Sequence, residues 1–309
     1  MPTLQGSPAR WRDAVRRLED EGYATVAISD HLTRGWAMDP LVAMMAAADA
    51  TNSLRVLSLV LSNDYRHPAL VHKAIATIDV LSGGRAELGL GAGWLAADYA
   101  ALGLEMEPAL ARILRLDESV RLLKQLFAAA GPIAFDGAQY RGRGLEGLPR
   151  PTQLPRPLLL IGGGGRHVLS LAGREADIVG VNASLEPGAV RSAGIAGLTA
   201  AAAEEKVGWI SAAVEDAGRK AEDVELQVSV LELHLSDSAA DCRRHLDSLA
   251  DASGLDRART ESSPSVLVGS LDHCADLLRE RRDRFGFSYI KLGPDPVAAA
   301  PLVRRLAAT

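Results

Sequence analysis

Apolar residues along the 309-residue chain fall into two alternating textures. Short runs rich in Val, Ile and Leu, the pattern of strands buried on both faces, are followed by stretches whose apolar positions recur roughly every three to four residues, the spacing of one helix face. Strands are predicted at Ala24–Ser29, Arg55–Leu61, Arg85–Leu90, Leu158–Ile161, Asp177–Val181, Glu225–Leu235 and Ser288–Leu292. The first three begin about 30 residues apart, which is room for a strand and a crossover helix. The helix between the second and third carries Leu70, Val71, Ala74, Ile75 and Ile78 on one face. It starts at Pro68, whose missing amide costs nothing in a first turn, and Ser82-Gly83-Gly84 stops it.

Repeated βα units with continuous apolar strands imply a parallel sheet with right-handed crossovers, either an open doubly wound sheet or a closed (β/α)8 TIM barrel. Length and the absence of an internal linker favour the barrel, a single α/β domain spanning 1–309. One strand is then missing. Only Met1–Gly6 precedes a helix predicted over Ala9–Asp20, so the first strand is expected to be very short, or lost through a start codon placed too far downstream. Three longer stretches, Gly91–Pro157, Asn182–Ala196 and Asp251–Pro264, are expected to be loops inserted at one rim. In such a barrel the segments after strand carboxyl ends build the active site, which is where chemistry is sought.

Composition removes several classes of function. At 48% hydrophobic and 24% charged residues the chain is an ordinary globular protein, not a disordered, collagenous or coiled-coil one. No apolar stretch approaches the roughly 18 residues of a membrane helix. Met1–Arg12 carries charge where a signal peptide needs an apolar core, so a cytoplasmic location is expected. A net charge of -5 without a basic block gives no footprint for nucleic acid. Cys242 and Cys274 sit on separate predicted helices without CxxC spacing, and are expected to be buried, unreactive thiols. His72, on the regular helix of a βα unit, is expected to be structural; His234, His245 and His273 are scattered without metal-ligand spacing, and no metal is expected; Arg279–Arg284 reads as a solvated helix face. Neither GxSxG nor HExxH occurs, so hydrolase readings lack support.

Candidate chemistry lies just after the strands. Ser29-Asp30-His31 leaves the first predicted strand with an imidazole able to titrate near neutral pH and a carboxylate beside it, although a helix-entry loop with a polar pair explains it too. Asn63, at the next strand end, is placed to bond either a ligand ring or its own turn. Gly91-Ala92-Gly93-Trp94 offers bare backbone and an indole wall to a flat ligand, or simply a tight turn. Gly162-Gly163-Gly164-Gly165-Arg166 joins a strand to a helix start, which offers unpaired amides, a positive dipole end and a guanidinium to an anion. A phosphate site is expected there; the Lys-Ser/Thr pair of a P-loop is absent.

Taken in order, Gly22-Tyr23, Ser29-Asp30-His31, His67-Pro68, Leu81-Ser82-Gly83-Gly84-Arg85, Leu88–Trp94 and Ile161–Gly165 resemble the luciferase-like monooxygenase superfamily nearly end to end. Leu148-Pro149-Arg150-Pro151 and Val266-Leu267-Val268-Gly269 are similar to an actinobacterial subgroup of F420-dependent oxidoreductases within it. The resemblance implies a barrel with a 5-deazaflavin (coenzyme F420; FMN as the alternative) in its mouth and the cofactor phosphate at Gly162–Arg166. It implies ring contacts from Ser58, Leu59, Asn63, Gly91, Ala92, Gly93 and Trp94, with a non-proline cis peptide at Ser58–Leu59. His31 would give or take the substrate proton, with Asp30 orienting it, and Trp36, displaced by one residue from the family position, would line the substrate pocket. Sugar-phosphate dehydrogenases of the family carry a glutamate where this chain has Trp94, so reduction of an activated C=C or C=N bond of a small organic substrate is expected instead. An FMN-dependent monooxygenase and a cofactor-binding barrel without activity are the competing expectations. A homodimer is expected from the family.

Overall fold

In the computed structural model, which describes residues 7–36, 38–184, 191–293 and 295–307, helical crossovers link parallel strands in an α/β fold. The chain divides into two compact units, 2–161 and 162–309, and the boundary falls inside a strand. The predicted first strand at Met1–Gly6 lies outside the described residues. Among the described residues no helix is long and apolar enough to cross a membrane.

The first unit runs α1 (Pro8–Asp20), β1 (Thr25–Ile28), α2 (Pro40–Ala50), β2 (Arg55–Ser58), β3 (Leu61–Ser62), α3 (Pro68–Leu81), β4 (Ala86–Gly91), α4 (Ala96–Leu102), α5 (Ala109–Ala128), the hairpin β5 (Ile133–Asp136) and β6 (Arg141–Leu145), and the body of β7 (Leu158–Gly163). Parallel pairing joins β1 to β2 (Thr25 with Arg55), β2 to β4 (Val56 with Ala86) and β4 to β7 (Glu87 with Leu158), and β3 lies on β4 through Leu61 and Leu90. Every residue of β4 is buried, including Glu87, which pairs with Arg55. Helices α1, α2 and α3 start alike: Ser7, Asp39 and His67 accept a first-turn amide and a proline follows each.

Carboxylates tie the connections down. Glu19 accepts the amides of Asn52, Ser53 and Leu54 and the Ser53 hydroxyl; burial pushes its pKa up, but these bonds outweigh it and hold the group at about 2. Asp79, fully buried, accepts both backbone amides of Thr152 and Gln153 and the Gln153 side chain. Glu118 on α5 accepts the amides of Ala138, Gln139 and Tyr140, which fixes the hairpin to the helix. The expected rim loop Gly91–Pro157 is therefore mostly ordered structure. Its helix α5 buries Leu116, Val120, Leu123 and Phe127 at helical spacing.

His72 on α3 is 1% exposed against Phe127, with Nε2 unpartnered, and burial lowers its pKa to about 4. A depressed histidine pKa stabilises the fold above the unfolded value of 6.5 and stops doing so as pH falls towards 4. Replacing His72 by leucine should flatten the fall in melting temperature between those limits; a variant whose acid sensitivity matches the parent would remove His72 from the account.

The second unit continues from Gly162 with α6 (Arg166–Glu175), β8 (Ile178–Val181), α7 (Arg191–Ala196), α8 (Ala200–Asp216), β9 (Glu225–Ser229), β10 (Glu232–Leu235), α9 (Ala239–Ser253), α10 (Arg257–Ser262), β11 (Val266–Gly269), α11 (Leu271–Phe285), β12 (Phe287–Lys291) and α12 (Pro296–Ala307). Strand β9 pairs in parallel with β8 and β12, and β10 pairs with β11. The predicted strand Glu225–Leu235 is thus two strands in two sheets, parted at Val230 and Leu231, whose amides bond Lys291 and Ser265 carbonyls. The expected loops also hold helices, α7 in Asn182–Ala196 and α10 in Asp251–Pro264.

The readings of Arg281 and Cys242 are corrected. Arg279 and Arg284 are solvated and ion-paired, but Arg281 in the same basic run is 3% exposed and donates to the Pro264 and Val266 carbonyls; burial lowers its pKa to about 10. His234 and His245, scattered in sequence, stack at 4.1 Å, each bonded to a carboxylate, Asp241 and Glu232. Cys274 is buried and its thiol is pushed up to about 11 by burial; Cys242 is half-buried and donates to the Ser236 carbonyl.

Candidate active site

The segment leaving β1 places His31 within reach of α4, where Asp98 occupies the first turn. His31 Nδ1 lies 2.7 Å from Asp98 Oδ2. The other carboxylate oxygen accepts the Thr33 hydroxyl at 2.6 Å and the Thr33 and Leu32 amides at 3.0 and 3.3 Å. Asp98 is completely buried; burial pushes its pKa up, but the bonds from Thr33, His31 and Leu32 prevail and hold it below the ordinary carboxylate range. An ionised carboxylate only accepts, so Nδ1 is the protonated nitrogen and Nε2 carries the free lone pair. The imidazole side chain keeps 16% of its surface open, and among the described residues Nε2 has no protein partner.

Asp30, expected to orient His31, is occupied elsewhere. Its Oδ2 accepts the Ser62 amide at 3.1 Å and Arg66 Nη1 at 2.6 Å, and Arg66 reaches on to Asp39. It braces the β3 end and the turn after it. Two indoles flank His31: Trp36 is tilted at 5.2 Å between ring centroids and Trp94 meets it edge-on at 5.6 Å. Trp36 is 40% exposed and half-buried Trp94 follows the Gly91-Ala92-Gly93 turn.

That turn is built from behind. Arg112 on α5 donates to the Ala92, Gly93 and Glu107 carbonyls, and Tyr99 on α4 donates to Asp64, which also pairs with Arg115. Burial and the bond to Asp64 push the Tyr99 phenol up to about 12. Gly93 has φ +77, and a Cβ there would stand 2.1 Å from the Tyr99 hydroxyl. Gly93→Ala should cost on the order of 2–3 kcal/mol of stability in denaturant melts, with strain and overlap adding; a neutral variant would show the turn to be less constrained.

The remaining predicted cofactor contacts divide by what they already touch. Asn63 is buried and donates to the Tyr140 hydroxyl, so its amide is held by the hairpin rather than by its own turn. Ser58 exchanges two hydrogen bonds with Gly89, one to its carbonyl and one from its amide. The non-proline cis bond is Leu59–Val60, one residue beyond the expected Ser58–Leu59. In the second unit, Gly162 and Gly163 end β7 and Gly164 abuts Ala183, whose oxygen would lie 2.1 Å from an added Cβ. Gly165 is exposed with nothing within 4 Å of that position. Helix α6 starts behind it at an exposed Arg166, and no side chain caps it.

Asp98 was not among the residues the sequence singled out, and the structure makes it the partner of His31. The pairing itself is not local: 67 residues separate the two side chains.

The chain combines parallel strands with a carboxylate-held imidazole beside two indoles and a glycine-rich turn after β4. It belongs to the luciferase-like monooxygenase family, whose model matches residues 1–265. It is 34% identical over 179 residues to an F420-dependent glucose-6-phosphate dehydrogenase of Kineococcus radiotolerans, covering 56% of this chain and 52% of that one. It is 30% identical over 173 residues to an FMNH(2)-dependent dimethylsulfone monooxygenase of Pseudomonas putida, covering 54% and 46%. The chain spans about half the length of these curated relatives. Its fold matches an F420-dependent secondary alcohol dehydrogenase in complex with an F420-acetone adduct at TM-score 0.78, with 15% identity over 98% of this chain and 94% of that one.

Proposed function

We propose that the protein is an F420-dependent oxidoreductase acting on a small organic substrate, with His31 as the group that gives or takes the substrate proton. One observation carries the reading: His31 is fixed through Nδ1 by a buried carboxylate, its ring lies beside two indoles, and among the described residues its Nε2 has no partner. When bound, the deazaflavin supplies or accepts the hydride, and the protein's share is position and proton.

The residues present fit such a group. Trp36 and Trp94 offer aromatic walls beside the imidazole. Within the first unit Arg112 and Tyr99 hold the bare backbone of Gly91–Gly93; within the second, taken by itself, the uncapped start of α6 at Gly165 offers amides to an anion. Asp98 keeps Nδ1 protonated, so a neutral His31 accepts a proton at Nε2, and in its protonated state donates one from the same atom. Trp94 stands where the resemblance expects a glutamate in the sugar-phosphate dehydrogenases, and its indole edge meets His31 without adding a second acid. Reduction of an activated C=C or C=N bond takes one proton at the atom that does not receive the hydride, which is the step His31 would serve. The closed (β/α)8 barrel and the homodimer belong to the same proposal, the barrel supported by the fold likeness.

Anaerobic mixing with reduced F420 and a panel of unsaturated carbonyl compounds and imines tests it. Protein-dependent reoxidation of the deazaflavin by members of the panel is expected. Turnover that instead requires reduced FMN and oxygen would install the second reading, a monooxygenase, which the Pseudomonas putida relative favours.

A further inference from the structure

Lys206 on α8 is 3% exposed, and among the described residues no carboxylate pairs with it. Its ammonium donates instead to the Gly164 carbonyl and, at 3.0 Å, to Ser184 Oγ. The Ser184 hydroxyl donates to the same carbonyl at 2.8 Å. The Trp209 ring lies 5.5 Å from the ammonium. Burying a cation away from an anion costs free energy, and burial holds the Lys206 pKa below the ordinary lysine range. A fold that retains such a charge at a turn where helix α6 starts uncapped has positive potential there from two sources.

The hydrogen bonds give that charge a second effect. In a planar trans peptide the carbonyl and the following amide point in opposite directions. Two donors on the Gly164 carbonyl therefore aim the Gly165 amide away from Lys206. Gly165 is exposed, and a Cβ there would meet nothing within 4 Å, while Gly164 is locked against Ala183.

We infer that Lys206 is a positioning residue for anion binding at the glycine-rich turn, setting the Gly164–Gly165 peptide and placing a buried positive charge behind it for the phosphate ester of the cofactor. This rests on the cofactor reading above and adds the residue that makes the turn select a phosphate.

Calorimetric titration of the parent and of Lys206→Met with F420 and with the deazaflavin core lacking the phosphate ester separates the two ideas. Melting curves with and without inorganic phosphate complete the test. The parent should prefer F420 to the core and melt higher with phosphate. Lys206→Met should lose roughly tenfold or more in F420 affinity with the core within about twofold. It should melt no lower than the parent without ligand and gain nothing from phosphate. Lys206→Arg, which keeps charge and donors, should retain the preference, and stands in if the methionine variant does not fold. A Lys206→Met protein that still prefers F420 as the parent does, whatever its melting temperature, overturns the inference and leaves the cofactor reading intact. A parent that binds the core but shows no preference for the phosphate ester does the same. A parent that binds neither compound overturns the cofactor reading, and the inference with it.

Discussion

Replacing His31 by alanine is expected to lower turnover about 10²–10⁴-fold, the range a positioned general acid or base contributes, while cofactor affinity changes by no more than about twofold. The split follows from the geometry. The imidazole is held by Asp98 and keeps Nε2 free, so its removal deletes a proton-moving atom but leaves Trp36, Trp94 and the Gly91–Gly93 turn. Unchanged turnover, or a loss confined to cofactor binding, would remove His31 from the chemistry.

Asp98→Asn should cost turnover about 10²-fold or more through tautomer control. An amide keeps an oxygen for the Thr33 and Leu32 donors but turns its NH2 towards His31, so Nδ1 must accept and the proton moves to Nε2. The neutral imidazole then presents a donor where the parent presents an acceptor. Stability should fall as well, by about 1–3 kcal/mol for charge-assisted bonds in a buried site. Because the folded pKa of Asp98 lies below its ordinary value of 3.8, that contribution is complete above about 3.8 and disappears as pH falls through the folded value. The melting temperatures of parent and variant should therefore converge in acid. A variant with parental turnover and an unchanged pH profile would make Asp98 a structural anchor only.

Much of the architecture is legible because its physics is local. Strands buried on both faces must be almost wholly apolar, as Ile178–Val181 is and as Ala86–Gly91 is apart from Glu87, which pairs with Arg55, and Ser7-Pro8, Asp39-Pro40 and His67-Pro68 write helix starts into the chain. What escapes is set by distant contacts. Nothing in Glu225–Leu235 marks the break, because Val230 stays apolar and fully buried where the chain passes from one sheet to another. Arg281 hides in a basic run because its carbonyl partners at Pro264 and Val266 come from another element.

The site divides the same way. His31, Trp36 and Trp94 are visible as types after strand ends, and the structure brings them together. The acid is misread: adjacency favours Asp30, yet neighbours on an extended segment point to opposite sides, and Asp30 serves Ser62 and Arg66 while Asp98 arrives from α4. The one faint signal for Asp98 is its place in the turn of helix that follows Trp94.

Parallel titration of the parent protein with F420 and with FMN, followed by calorimetry, bears most directly on the claim that this site seats a deazaflavin. Saturable binding of F420, with FMN at least about tenfold weaker, is the predicted result. Tight FMN binding with no response to F420 would contradict it.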